Sequence, residues 1–259
     1  MLDNKITITF LGTGTSIGVP VVACKCPVCQ SLDSRDKRFR ASVLVNVKDV
    51  NIVIDCGPDF RSQMLRQNVE DIDAILITHQ HRDHIGGLDD VRAFNYVLNK
   101  IIDIYASSET IDSIKIEYPY IFRNSGFFAA PQLNINNINI DNPFYIKDIK
   151  ITPIKVKHSK MDVLGFRIGD FTYITDANYI SPPELEKIKG TKVLVLNALR
   201  NSKHISHYCL KEAIEIIQHI NPQMAYLTHI SHFLGLHKDV EEKLPPNIRL
   251  AYDELVIKI

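Results

Sequence analysis

No run in this 259-residue chain reaches the ~18 apolar residues needed to span a bilayer. The opening MLDNKITITFLGTG has an acidic residue at position 3 and an apolar run too short for a secretory h-region. Neither sign of charge is in excess, since 30 Lys and Arg balance 30 Asp and Glu. The basic residues are scattered rather than gathered into a stripe, which argues against an extended nucleic-acid face and leaves room only for a local basic patch. Cysteine is sparse, five in all, and an odd count in a chain of this length argues against a disulfide scaffold. No low-complexity linker and no repeat of fixed period interrupts the sequence. The expectation is a soluble, cytoplasmic protein with no membrane partner, folded as one domain over residues 1–259 and large enough to bury a full core.

What is present is a succession of short strand-like runs rich in Ile, Val, Thr and Tyr. KITITF, ASVLVNV, VNIVID and DAILITH lead the first half; IKITPIKV, VLGFRIG, FTYITD, KVLVLNA and MAYLTHI lead the second. Between them PDFRSQMLRQNV, LDDVRAFNYVLN, CLKEAIEIIQHI and HKDVEEKL have helical spacing. Strands in each half with helices between them predict two mixed sheets packed face to face, with helices outside.

Two clusters carry chemistry. VVACKCPVC puts Cys24, Cys26 and Cys29 within six positions, and in a reducing compartment clustered thiols bind metal or do redox work. The second cluster follows the strand DAILIT, where HQHRDHIGGL holds His79, His81, Asp83 and His84 on one loop. In extended backbone His79 and His81 share a face and can reach one ion. Asp83 and His84, carried round the turn, are free to point at a second. Such a loop supplies too few ligands for two ions, so more are expected at later strand ends. His158, Asp176 and His229 each stand directly after a strand-like run. Asp55, also at a strand end, is read as a hydrogen-bond partner that holds the loop's histidines in one tautomer.

On these residues, THQHRDHIGGL with the downstream His158, Asp176 and His229, the chain resembles the metallo-β-lactamase superfamily. The resemblance implies an α/β fold, an αββα sandwich of two mixed β-sheets flanked by helices, with a dinuclear metal site at one edge. It implies His79, His81 and His158 as ligands of a first ion, Asp83, His84 and His229 as ligands of a second, and Asp176 as the bridge. Two divalent ions in such a site share a water, lower its pKa toward neutrality and offer it as hydroxide. Zinc and manganese both suit the ligand types.

Two further stretches narrow the resemblance. FLGTGTSIGVPVVACKCPVC joins a Gly-rich turn, with Gly12, Gly14 and Gly18, to the cysteine cluster, and YLTHISHFLGLH carries His232 three positions after His229. Together with the metal loop, the chain resembles the PhnP-type phosphodiesterases over almost its whole length. That family implies a structural zinc held by Cys24, Cys26, Cys29 and His232. It also implies a further histidine that acts as general acid or transition-state stabiliser beside the metals. NSKHISHYCLKEA offers His204 and His207, and the family's motif favours His207, with Asp83 as the other catalytic group. Arg200 and His204 are candidates for substrate binding. The implied substrate is a small-molecule phosphodiester, 5-phosphoribosyl 1,2-cyclic phosphate in the family, and a homodimer is compatible with the reading. LVLNALRNSKHIS, which would form one wall of the pocket, departs from the family's pattern, so the reaction class carries over more firmly than the substrate. Cys56 and Cys209 read as small buried residues. The rival readings are a tRNA 3′-end nuclease, a thioesterase or a lactonase on the same metals, and a non-catalytic protein of cofactor biosynthesis with this fold.

Overall fold

The computed structural model describes residues 5–122 and 130–259. The alternation in ITITFLG makes a strand, β1 (Ile6–Gly12), that buries Ile6, Ile8 and Phe10 on one face. β2 (Ser42–Val47) and β3 (Val50–Ile54) form a hairpin whose turn residues, Lys48 and Asp49, both have positive φ, the form that matches strand twist. β4 (Ala74–Leu76), β5 (Ile102–Ala106) and β6 (Leu133–Asn137) follow as parallel additions.

The second sheet begins with β7 (Phe144–Ile146), β8 (Ile149–His158), β9 (Met161–Ile168) and β10 (Phe171–Ile174). It continues through β11 (Tyr179–Ile180), β12 (Val193–Asn197), β13 (Met224–Thr228) and β14 (Ile248–Leu250). A final strand, β15 (Val256–Lys258), returns to the first sheet and pairs antiparallel with β1. The sheet orders are β15-β1-β2-β3-β4-β5-β6 and β11-β8-β9-β10-β12-β13-β14, with β7 on the other half of β8's edge.

Three apolar layers hold the sheets and helices together. Phe10, Val45, Ile52 and Ile54 of the first sheet meet Ile151, Phe166, Phe171 and Tyr173 of the second. Outside the first sheet, Val53, Ile75 and Ile104 pack on the helices Phe60–Arg66, Arg92–Leu98 and Ser108–Glu117. Outside the second, Leu194, Leu196 and Leu227 pack on Pro182–Ile188, Leu210–Ile220 and His237–Glu241. Each fully buried Phe or Ile in these layers contributes roughly 1.5–3 kcal/mol. The order helix, sheet, sheet, helix is the expected αββα sandwich. Among the described residues, no helix is long and apolar enough to cross a membrane.

Four of the predicted helices are present, although LDDVRAFNYVLN splits into a 3-10 turn, Leu88–Val91, and a helix. The helices at Ser108–Glu117 and Pro182–Ile188 and the strands β5, β6, β7, β11, β14 and β15 were not predicted. Cys56 and Cys209 are buried as expected. Cys209 also begins the helix Leu210–Ile220, where its N–H donates to Glu212 at 3.0 Å.

Candidate metal centre

The parallel strands β3, β4, β10 and β13 end at one edge of the sandwich, and the side chains flagged from sequence follow those ends. Asp55 comes directly after β3, Asp176 two residues after β10 and His229 directly after β13, with φ of 66°, 55° and 54°. Left-handed backbone at a non-glycine residue costs on the order of 1–2 kcal/mol. Here it recurs at three strand ends beside one cleft, where it turns each side chain back over the sheet edge. The loop after β4 is tied to the opposite sheet by Leu164 N–H, which donates to Thr78 O at 3.0 Å.

Two ligand sets result. His79, His81, His158 and Asp176 form one; Asp83, His84, Asp176 and His229 form the other, with donor atoms in each set within 4.8 Å of one another. His79 Nε2 and His81 Nδ1 face each other at 3.0 Å. Asp176 stands between the sets, with Oδ2 at 3.7 Å from His79 Nε2 and 3.5 Å from His84 Nε2, and Oδ1 at 3.1 Å from His229 Nε2. Asp83 Oδ2 lies 3.1 Å from His84 Nε2 and 3.6 Å from His229 Nε2.

Three of the rings are oriented by a second hydrogen bond. Asp55 accepts His84 Nδ1–H at 2.7 Å and also takes Thr78 N–H and its hydroxyl at 2.8 and 3.0 Å. Thr78 Oγ1 in turn lies 3.0 Å from His79 Nδ1. His158 Nδ1–H donates to Ser206 O at 2.8 Å. Each bond leaves Nε2 directed at the cleft. The expected role of Asp55 thus has its geometry, directly for His84 and through Thr78 for His79. Thr78 and the Ser206 carbonyl were not singled out from sequence. Thr78 had a signal, its place just before His79; a backbone carbonyl has none.

Cations fit this cleft on electrostatic grounds. Asp55, Asp83 and Asp176 are buried or nearly so, and among the described residues only histidines pair with them. Burial alone would push Asp83 and Asp176 up, yet neighbouring histidines hold both carboxyls below the usual range. Burial would likewise push His84 down, but Asp83, Asp55 and Asp176 hold it well above. Among the described residues, His84 Nε2 and both ring nitrogens of His229 lack hydrogen-bond partners although buried, an arrangement that costs ~1–3 kcal/mol per group unless something binds there. Two divalent ions would offset the carboxylate charge and take up Nε2 of His84 and of His229, leaving only His229 Nδ1 of the three unpartnered, and the imidazole and carboxylate donors fit such ions.

The cysteine cluster meets His232 across the fold. Sγ of Cys24, Cys26 and Cys29 lie 3.3, 3.4 and 3.5 Å from His232 Nδ1. Zinc bonds of ~2.3 Å to sulfur and ~2.0–2.1 Å to nitrogen at a tetrahedral angle set those atoms about 3.5 Å apart. All five cysteines are free thiols. The Cys29 N–H donated to its sulfur lowers Cys26 to about 6, whereas burial raises Cys29 to about 11.

His207 is buried between the two sets. Its ring centroid is 4.5 Å from that of His158 and 4.8 Å from that of His229, and its Nδ1 has no partner. Burial, with His229 beside it, lowers its pKa to about 3. That direction favours the neutral ring in this pocket. His204 lies 5.2 Å from His207 on the half-buried side. Arg200 spends Nε and Nη2 on Ser202 O and Lys203 O at 3.2 and 2.9 Å, so two of its nitrogens brace their own loop. In the Gly-rich turn, a Cβ on Gly12 would lie 2.0 Å from Arg40 O and one on Gly14 2.9 Å from Arg38 O. These glycines allow two backbones to touch.

A model described as a beta-lactamase superfamily domain matches residues 50–230. The chain belongs to the beta-lactamase superfamily. The crystal structure of a new diphosphatase from the PhnP family superposes with a TM-score of 0.92 at 36% identity, over 98% of this chain and 97% of that one, which assigns the chain to the PhnP type. An octanoyltransferase of Porphyromonas gingivalis is 40% identical over 248 residues, 95% of this chain and 50% of the relative. A ribonuclease Z of Clostridioides difficile is 28% identical over 206 residues, 76% of this chain and 57% of the relative. The chain spans about half the length of these two curated relatives.

Proposed function

We propose that this superfamily member is a metal-dependent phosphodiesterase of one domain that acts on a small-molecule phosphodiester. The observation that carries the reading is the pair of His/Asp sets sharing Asp176, with His207 set between them. His79, His81 and His158 would hold one ion, Asp83, His84 and His229 the other, and Asp176 both. Bound there, two divalent ions supply Lewis acidity to a water and to a phosphoryl oxygen.

The chain's own groups do the rest. Asp83 turns Oδ2 to His84 and His229, which leaves Oδ1 to accept a proton from an attacking water. His207 donates an N–H to the phosphoryl or leaving oxygen, worth more in a buried site than in water. Burial favours the neutral ring, so His207 would protonate the leaving oxygen only if the phosphate's negative charge raises its pKa enough for the ring to take up a second proton first. His204, on the open side, is the neighbour through which a substrate would meet His207, and the Nη1 of Arg200 remains to reach a phosphate oxygen. Cys24, Cys26, Cys29 and His232 would hold a structural zinc, in keeping with free thiols in a reducing, cytoplasmic setting. The PhnP-family diphosphatase supports a phosphorus centre as the target. The cyclic sugar phosphate belongs in the test beside a diphosphate-linked substrate.

The octanoyltransferase match, over 95% of this chain, favours a second reading, hydrolysis of an acyl thioester. The experiment is a panel of cyclic and linear phosphodiesters, a diphosphate-linked nucleotide, pre-tRNA and an octanoyl thioester, against protein reconstituted with zinc or manganese. Turnover of the small phosphodiesters is expected. Turnover of the thioester alone would replace the proposal with the second reading. In the same assay His207→Ala should keep its metals and lose roughly 10²–10⁴-fold in rate on substrates with poor leaving groups, with a smaller loss on an activated aryl phosphodiester.

A further inference from the structure

His229 differs from His79, His84 and His158 in how its outer ring nitrogen is held. His84, His79 and His158 each have Nδ1 held by Asp55, Thr78 or Ser206 O, whereas Nδ1 of His229 has no hydrogen-bond partner among the described residues. Among the described residues no group holds this ring from its Nδ1 side, so its position depends on its backbone, which is in the left-handed region. That backbone is gripped from two sides. Ser231 N–H donates to Leu199 O at 3.0 Å, while Ile230 N–H donates to Thr13 O at 2.9 Å and Thr15 N–H to Ile230 O at 3.1 Å.

The Thr13 side rests on a buried cation. Arg38, 4% exposed, donates Nη1 to Thr13 Oγ1 at 2.8 Å and to Ala251 O at 2.6 Å, and Nη2 to His237 Nδ1 at 3.1 Å. Thr13 Oγ1–H in turn donates to Asp253 Oδ1 at 2.8 Å. His237 N–H is held by Asp36 at 2.8 Å. Arg38 has no carboxylate within salt-bridge distance among the described residues, and burial lowers its pKa to about 10. A buried guanidinium bonded to neutral acceptors is costly. A fold needing only packing would be served as well by an apolar residue. What the guanidinium provides is a planar fork that fixes three segments, around Thr13, Ala251 and His237, at once.

We propose that Arg38, acting through Thr13, is a positioning residue for His229, and through it for the Asp83, His84, Asp176 and His229 set. The inference rests on the two-set reading above. Ile230 joins the two: a shift at Thr13 moves the backbone next to His229 directly, while His79, His81 and His158 are anchored on other strands. Loss of the fork therefore loosens one set and spares the other.

The test uses the full chain and needs no substrate. Wild type, Arg38→Met and Thr13→Val are loaded with Co(II) and titrated with a competing chelator, ions bound are counted, and absorption separates thiolate-bound from His/Asp-bound cobalt. Thr13→Val keeps the carbonyl that receives Ile230 and removes only the hydroxyl, so it serves if Arg38→Met fails to fold. The expected result is a loss of affinity of roughly 10–100-fold for one of the two His/Asp-bound ions, with the other and the thiolate-bound ion unchanged. Arg38→Lys should recover only part of it, since a single ammonium nitrogen lacks the planar spread by which Nη1 and Nη2 reach three separate segments. Unchanged affinities, or equal loss of every ion with falling stability, would overturn the positioning role and leave the two-set reading in place. A wild-type protein that binds only the thiolate-held ion would overturn both.

Discussion

Replacing Asp55 with Asn tests how the cleft is built. Asn is nearly isosteric and can keep the oxygen that accepts from Thr78 N–H and Oγ1, so the strand end and the His79 support survive. The other oxygen, at 2.7 Å from His84 Nδ1, becomes an NH₂ group. Two donors then face each other, and the nearest relief is for His84 to move its proton to Nε2. That nitrogen is the one at 3.1 Å from Asp83 and 3.5 Å from Asp176, so a proton there blocks it as a ligand. A lost hydrogen bond to a charged partner is worth ~1.5–3 kcal/mol, and altered support of a metal-binding histidine costs ~10–100-fold in affinity. At 1.36 kcal/mol per tenfold that is about 1.4–2.7 kcal/mol, so the two routes agree. Chelator competition on wild type and Asp55→Asn should show this loss for one ion, with the ion of His79, His81 and His158 changed by much less. Equal affinities in the two proteins, or a loss confined to the other ion, would refute the reasoning.

Other predictions concern the frame around the site. Burial and the charge of Arg38 lower His237 to about 4, below the ~6.5 of an unfolded chain. The unfolded state thus takes up a proton first as pH falls, and stability contributed by the neutral ring is present above pH ~6.5 and lost toward pH 4, by up to about 3 kcal/mol. Urea midpoints of wild type and His237→Gln between pH 7.5 and 4.5 should diverge in slope; parallel curves would contradict the assignment. Cys26→Ser should release one zinc, measured by elemental analysis, and lower Tm by several degrees, because the zinc would close a loop from the first sheet's entry to His232; full zinc content would exclude it as a ligand. Gly14→Ala should lower stability by roughly 1–3 kcal/mol, since the new Cβ meets Arg38 O at 2.9 Å and Phe39 O at 3.0 Å. A neutral result in thermal melts would mean that those backbones can part.

Much of the fold was legible because its strands obey simple patterns. The alternation in ITITFLG and the apolar runs VNIVI and VLVLN need no partner to be recognised as strands with one or two buried faces. β6, LNINN, was not recognised because an edge strand rich in Asn is exposed to solvent and has little periodic apolar signal. β14 and β15 have three residues each, too few to show a period. The helix Ser108–Glu117 carries its start signal in Ser107, whose hydroxyl accepts from Thr110 N–H at 3.3 Å, but the residue types alone do not distinguish that from a turn.

The sequence by itself determined the inventory of donors and their places. Four lie on one loop, three more at later strand ends, and three thiols stand within six positions, because ligand chemistry belongs to residue types and strand ends belong to local pattern. Tertiary structure decided how those groups act. It set Asp55 against His84, carried His232 to the thiols, buried His207 between His158 and His229, and turned two of Arg200's nitrogens onto its own loop. Those outcomes depend on distances between residues far apart in the chain, and on the water excluded from between them.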